Sequence, residues 1–348
     1  MSFRLNHFKK ESYLPCQVDN GWQRATTLAL LLVIVFVLLR SLTTSVPKTK
    51  LGKNPEKTKE ITLPIQGEYS TRVSELENGL VKIYWDLNDM RQVDPTLIQF
   101  LKKEILIPPN PKRSLDLKTK PKLNGQFNQV PKVENVLGLT TRKNPGFYIE
   151  AGAADGESIS NTLYFEMHHG WTGLLVEPNP DNLAKLIDLH RNAWILPHCL
   201  STTTRVEMVN FEVSDLLSGI VIDGKTKPSK LNDAWFDISN WFRSRDDKNL
   251  REIQVQCFPL YAVLMALDNP HIDYFSLDIE GAEWTILNSL PWDRINITSL
   301  TVEINHAGET LPGSQSDIRH LMQRQGYELA ATLTIDDLFY RKDLNRFV

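Results

Sequence analysis

Residues 146–166 read GFYIEAGAADGESISNTLYFE, and within them Glu150, Gly152, Ala153, Asp155 and Gly156 have the types and spacing of a nucleotide-binding turn. Gly152 tolerates a left-handed backbone and the close approach of a ligand, and a helix opening near Ser158 would present unpaired N–H groups to it. Glu177 follows 25 residues after Gly152, where an acid at the tip of the next strand accepts hydrogen bonds from both hydroxyls of a ribose. Two acids on neighbouring strand tips, flanking a glycine turn, suggest an adenosyl ligand. The alternative is a glycine kept only for helix-on-sheet packing. Further along, Asp278 and Glu280 in DIEG end another strand, where they suit positioning an acceptor and taking its proton; capping the next helix is the competing role. Glu303 and His306, after a fifth strand, stand second for the same work. The cysteines contain no CxxC metal pattern, and no metal ligands are expected.

These groups need a sheet to carry them. Apolar runs predict strands at 147–149, 173–176 and 194–198, with helices at 158–166 and 181–191 between them. That alternation implies a parallel sheet with right-handed crossovers and a ligand at its carboxyl edge. Residues 206–213 and 219–222 suggest an inserted hairpin. Strands at 255–258, 274–277 and 300–303 alternate with helices at 260–267, 282–290 and 316–325, the last closed by Gly326. Residues 327–334 and 338–341 close the chain as an antiparallel pair. The expected fold class is α/β: a seven-stranded, mostly parallel, Rossmann-like sheet with a terminal antiparallel hairpin, the plan of class I methyltransferases.

Ahead of that domain, residues 25–39 read ATTLALLLVIVFVLL without a charge, and predict an N-terminal transmembrane helix over 25–43. A cleaved signal peptide is the competing reading, against which stand the long leader and the lack of a small-x-small cleavage site. Residues 1–24 are then a short cytoplasmic tail and 44–67 a solvated stem. Val73, Leu76, Leu80 and Ile83, then Leu97, Ile98, Leu101 and Ile105, recur at helical spacing, so 68–143 reads as a helical cap followed by a Pro- and Lys-rich connector. Asp94-Pro95 is a good helix start. Trp235, Ile238, Trp241 and Phe242 form an apolar stripe: a satellite helix, a lid or a docking helix.

The chain has 348 residues, 41 % of them hydrophobic, enough for one substantial core. A net charge of −3 argues against a nucleic-acid partner. Cys16, Cys199 and Cys257 rule out a disulfide-dense scaffold. Cys199 and Cys257, each at a strand end, could meet as a disulfide or remain buried thiols. Charge bias on the two sides of the span does not set its orientation; the sequon Asn296-Ile297-Thr298 and the cysteine pair lean towards a luminal domain.

FYIEAGAADGE, LLVEPNP, FSLDIEGAEWTIL and LTVEINH, in this order over 144–342, resemble the FkbM-type methyltransferase domain. GWTGLLVEPNP, CLS, QCFPLYAVLMAL and IPPNP look like its membrane-anchored, Star-like animal branch. The resemblance implies S-adenosylmethionine as cofactor, with Glu150, Gly152, Ala153, Asp155 and Gly156 around its methionine end, Glu177 on its ribose, and Asp278 and Glu280 as catalytic groups. The branch implies a single-pass protein that helps carry cargo, such as growth-factor precursors, through endoplasmic reticulum, Golgi and endosomal membranes; an active O-methyltransferase is the alternative. Ala154 departs from the asparagine that FkbM-type domains commonly carry in this turn.

Overall fold

The computed structural model describes residues 60–64, 70–76, 81–139, 145–214, 218–221, 251–309 and 311–347. The expected membrane span, the tail before it and the aromatic stripe at 235–242 lie outside them. Among the described residues no helix is long and apolar enough to cross a membrane.

β1 (Glu60–Pro64), β2 (Ser70–Leu76) and β3 (Val81–Tyr84) pair as a three-stranded antiparallel meander. This corrects the helical reading of the start of the cap. The Asn78-Gly79 dipeptide is a hairpin signal, and it prevails over apolar spacing that fits either period. α1 (Pro95–Phe100) begins where expected: Asp94 accepts from the Thr96 N–H at 2.8 Å with Pro95 in the first turn. The helix continues through Leu101–Ile105 and buries Leu97, Phe100 and Leu101. The connector then runs without helix or strand to α2 (Gln129–Leu137), apart from a single bridge of Ile107 to Ile195.

β4 (Phe147–Ala151), β5 (Thr172–Val176), α3 (Pro180–Asp188) and β6 (Ala193–Leu196) make the first strand–crossover units. Next come β7 (Cys199–Leu200), β8 (Glu207–Val213), β9 (Gly219–Val221) and β10 (Arg251–Phe258). Then α4 (Leu260–Ala266), β11 (Ile272–Leu277), α5 (Glu283–Ser289), β12 (Ile297–Glu303), α6 (Gln315–Arg324), β13 (Glu328–Thr332) and β14 (Asp336–Tyr340) follow. The central sheet has the order β13-β14-β12-β11-β4-β5-β6; its last five strands are parallel and β14 is antiparallel to both neighbours. The expected seven-stranded α/β architecture is present.

Both faces of this sheet are covered, so its inner strands are buried along their whole length rather than on alternate residues, polar side chains such as Asp273, Ser276, Ser299 and Thr301 included. Every residue of β11 and β12 is buried. Ile149, Ala151, Leu174 and Val176 face a core shared with α4, α5 and α6. Tyr148, Leu175 and Tyr274 face the other, packed against Val130 and Val133 of α2 and Leu183 and Leu186 of α3. The two-residue period that sends Ile149 and Ala151 to one face sends Tyr148 and Glu150 to the opposite one.

A second sheet, β7-β10-β8-β9, adjoins β6 in sequence. β8 and β9 form the expected hairpin. β7 and β10 run parallel with Cys199 and Cys257 as register partners, and the two cysteines are joined in a disulfide that spans 58 residues of sequence. Closing a loop of that length stabilises by about 4 kcal/mol on the chain-entropy account.

Candidate functional site

The carboxyl ends of β4, β5, β11 and β12 open into one cleft. The Gly152–Ala154 turn and Glu177 line its first half; Asp278, Glu280, Glu303 and His306 line its second. Phe211, Ser218 and Ile220 of the β8–β9 hairpin cover one side, and Gln126 and Phe127, from the connector, another. Measured out to the surrounding solvent, the cleft holds about 1290 Å³ of atom-free space. Four of its lining side chains are carboxylates, and among the described residues none is a lysine or arginine.

Glu177 sits at the tip of β5, 4 % exposed. One carboxylate oxygen accepts from the Ala154 N–H at 2.7 Å, and the other from the Asn179 N–H at 2.8 Å. Each oxygen keeps a second lone pair, as two vicinal hydroxyls would need. Burial pushes its pKa up to about 8, against the pull of those two backbone bonds. Asn179 holds the tip in place: it caps α3, and its side-chain amide donates to the Ser214 carbonyl and to Ser218 Oγ. This link between strand tip and hairpin has no signature in the sequence beyond the Asn-Pro helix start.

The Gly152 turn is built for a different reason than its sequence suggests. Gly152 has φ +83°, and a Cβ there would lie 1.9 Å from the Asp278 carbonyl oxygen, so the close approach that demands glycine is that of the chain itself. Gly156, φ +76°, makes room for Leu186 of α3 and does not line the cleft. Ala153 is buried behind the turn, its N–H given to the Val176 carbonyl. Asp155 holds the turn from outside: burial raises its carboxyl, but bonds from Ser158 Oγ and from the Ser158 and Glu157 N–H groups outweigh that and lower it. Ala154 adopts φ +48°, a left-handed backbone that asparagine tolerates better than alanine.

Glu150 points away from the cleft, as the strand period requires. It is 3 % exposed and accepts from Ser160 Oγ at 2.8 Å, the Asn161 N–H at 2.6 Å and Thr162 Oγ1 at 2.5 Å. These bonds hold 158–162 out of helical form: the helix opens only at residue 163 and passes into a wide turn over Phe165–His169. The expected helix start at Ser158, with N–H groups offered to a ligand, is therefore corrected. Behind Glu150 lies Arg191, fully buried, which donates to Glu166 at 2.7 Å, to the Gly156 carbonyl at 2.6 Å and to Tyr148 Oη at 3.1 Å. Burial raises the Glu150 carboxyl and Arg191 opposes the rise. The Glu150–Arg191–Glu166 group thus fixes the turn from below.

At the other half of the cleft, the backbone of the DIEG turn is held by Glu283, whose carboxylate accepts from the Ile279 N–H at 2.9 Å and the Gly281 N–H at 3.0 Å. The helix that follows has no side-chain cap, so neither Asp278 nor Glu280 caps it, and the turn itself is held by Glu283. Glu280, at φ +64°, turns its side chain to His306, with 3.5 Å between Oε2 and Nε2. Glu303 Oε1 lies 3.8 Å from the same nitrogen. Asp278 is hydrogen-bonded to Glu303; burial, then the charges of Glu280, Asp336 and Glu283, hold its carboxyl well above the usual carboxylate range. The cleft therefore holds Glu177, with accepting capacity left on each oxygen, and, two strands away, Asp278, whose carboxyl holds its proton more tightly than usual.

The family model described as Methyltransferase FkbM domain matches residues 150–329. The chain belongs to the FkbM methyltransferase-domain family. Its sheet is the class I methyltransferase arrangement, five parallel strands and an antiparallel closing pair. A search of curated proteins gave no match. Among solved structures, a methyltransferase FkbM from Methylobacillus flagellatus KT is similar at 13 % identity and TM-score 0.36, over 64 % of this chain and 48 % of that one. The chain thus spans about half the length of that protein. The METTL16 methyltransferase domain is similar at 12 % identity and TM-score 0.31 (77 % and 86 % covered), and CalO1, a calicheamicin-biosynthesis methyltransferase in its SAH-bound form, at 11 % and 0.24 (61 % and 54 %).

Proposed function

We propose that the FkbM domain binds S-adenosylmethionine in this cleft and transfers its methyl group to a hydroxyl acceptor. The observation that carries the reading is Glu177: a buried strand-tip acid, fixed by two backbone N–H groups, opening into a cleft whose other acids stand across from it. The donor set fits the cofactor. Glu177 holds the ribose diol, Phe211, Ile220 and Phe127 offer apolar walls to the adenine, and an excess of carboxylates suits a ligand with a sulfonium and an ammonium group. Gly152 and Ala154 line the binding half; Glu150, Ala153, Asp155 and Gly156 support the turn from behind.

When bound, the cofactor supplies an electrophilic methyl group on sulfur. Asp278 takes the acceptor's hydroxyl proton onto its carboxylate oxygen, and its raised pKa makes it the stronger base for the task once ionised. The hairpin face and Ile279 exclude water around the acceptor. Replacing Asp278 by Asn is expected to lower methyl transfer from labelled cofactor to a panel of neutral alcohols by roughly 10²–10⁴-fold, with a far smaller loss in cofactor affinity. Transfer at the wild-type rate would remove Asp278 from the chemistry.

The second reading is the Star-like one, a membrane-anchored carrier of secreted or membrane cargo in the endoplasmic reticulum, Golgi and endosomes. One observation favours its setting: the Cys199–Cys257 disulfide suits a secretory compartment rather than the cytosol. A carrier does not require a competent cofactor site, so cofactor binding separates the two.

A further inference from the structure

At the far end of the cleft, Glu280 follows β11, Glu303 ends β12, and His306 lies in the loop after it. One donor atom from each, two carboxylate oxygens and an imidazole nitrogen, lie within 4.8 Å of one another. Two donors on a tetrahedral ion with bonds near 2.1 Å stand roughly 3.4 Å apart. His306 Nε2 is already 3.5 Å from Glu280 and 3.8 Å from Glu303. These are not surface acids that happen to be close: the side chains of Glu303, Glu280 and His306 are 2 %, 11 % and 23 % exposed.

The ring is also oriented. Its Nδ1 is 3.0 Å from Glu309 Oε2, and its Nε2 is 3.3 Å from Asn305 Nδ2. The tautomer that donates Nδ1–H to Glu309 leaves the lone pair on Nε2, the ring atom nearest the two glutamates. A carboxylate on the remote nitrogen is how a ligating histidine is commonly held. In that tautomer the lone pair accepts from the Asn305 amide, a bond that a cation at Nε2 would replace.

We infer that Glu280, Glu303 and His306 form a binding site for one divalent cation of the Mn²⁺ or Zn²⁺ type. Two carboxylates with one imidazole suit these ions, whereas Ca²⁺ and Mg²⁺ favour all-oxygen sites. Three protein ligands leave positions open toward the cleft, where an oxygen-bearing acceptor would sit. The site does not depend on the cofactor reading, because it is measured without cofactor.

The test uses the full chain in detergent, stripped with chelator and titrated with Mn²⁺ or Zn²⁺ by calorimetry, with pulsed EPR of the Mn²⁺ form. One equivalent is expected to bind, with a single histidine nitrogen coupled to the Mn²⁺. Glu303→Gln and His306→Gln are each expected to weaken binding at least tenfold, and His306→Gln to abolish the nitrogen coupling. Glu309→Gln, which alters only the orienting contact, is expected to weaken binding roughly 10–100-fold. His306 is partly exposed, so its variant remains informative if the buried Glu303 variant fails to fold. No binding by the folded wild-type chain, or binding with unchanged affinity and coupling in His306→Gln, overturns the site. Metal binding with no cofactor binding would leave this inference standing and the methyltransferase reading fallen.

Discussion

Ala154 shows how much a single backbone angle decides. At φ +48° it takes the conformation that disfavours a Cβ, in the turn that also donates to Glu177. Ala154→Gly should raise the unfolding free energy by about 1 kcal/mol, and Ala154→Asn by a smaller margin, in urea melts; a loss of stability in both would contradict the left-handed turn. Glu177 is legible as a cleft residue from its place at the second strand tip, 25 residues after Gly152, and it does line the cleft. Glu150 is a different case. Its place in the motif is legible, but the face it points to depends on where the strand ends, and β4 runs on through Ala151. A one-residue difference in a two-residue period moves a side chain from the ligand side to the supporting layer. Arg191 could be named only from coordinates, because nothing in the sequence distinguishes a buried arginine from a helix-end cation.

Among elements, those with one strong period and clear punctuation are legible in advance. α6 is an example: Ser314 caps it in a reciprocal box with Asp317, and Gly326 follows at φ +84°. β1 to β3 were hidden because their apolar spacing fits a helix and only the Asn-Gly pair speaks for a hairpin. The β7-β10-β8-β9 sheet is the element that turns an open sheet edge into a walled cleft, and the disulfide ties β7 to β10 beside it. Cys199 itself lines the cleft. Reduction, or Cys257→Ala, should lower stability by about 4 kcal/mol in denaturant titrations. Equal stability with and without reductant would show that the tie contributes nothing.

For the whole molecule, the setting of the FkbM domain is what matters. The apolar run at 25–39 and the disulfide are the two features behind the proposed reading of a membrane-tethered domain in the secretory pathway. The full chain is expected to stay with membranes in alkaline carbonate, and the domain to resist added protease until detergent is present. Release by carbonate, or digestion in intact vesicles, would contradict that topology. Charge gives a matching picture at this scale: the molecule is near neutral, yet its cleft gathers four carboxylates and, among the described residues, no lysine or arginine. On the proposed methyl-transfer reading, that balance favours neutral or cationic acceptors over anionic ones.

The most direct measurement is calorimetry of S-adenosylmethionine binding to the full chain between pH 6 and 9. Glu177 must be ionised to accept both ribose hydroxyls at full strength, and its pKa is pushed up to about 8. The account predicts micromolar binding at the alkaline end, weakening by up to about tenfold per unit as pH falls below that value, and abolished in a folded Glu177→Ala variant. Undetectable binding by the well-folded wild-type chain, or an affinity that Glu177→Ala leaves unchanged, would contradict it.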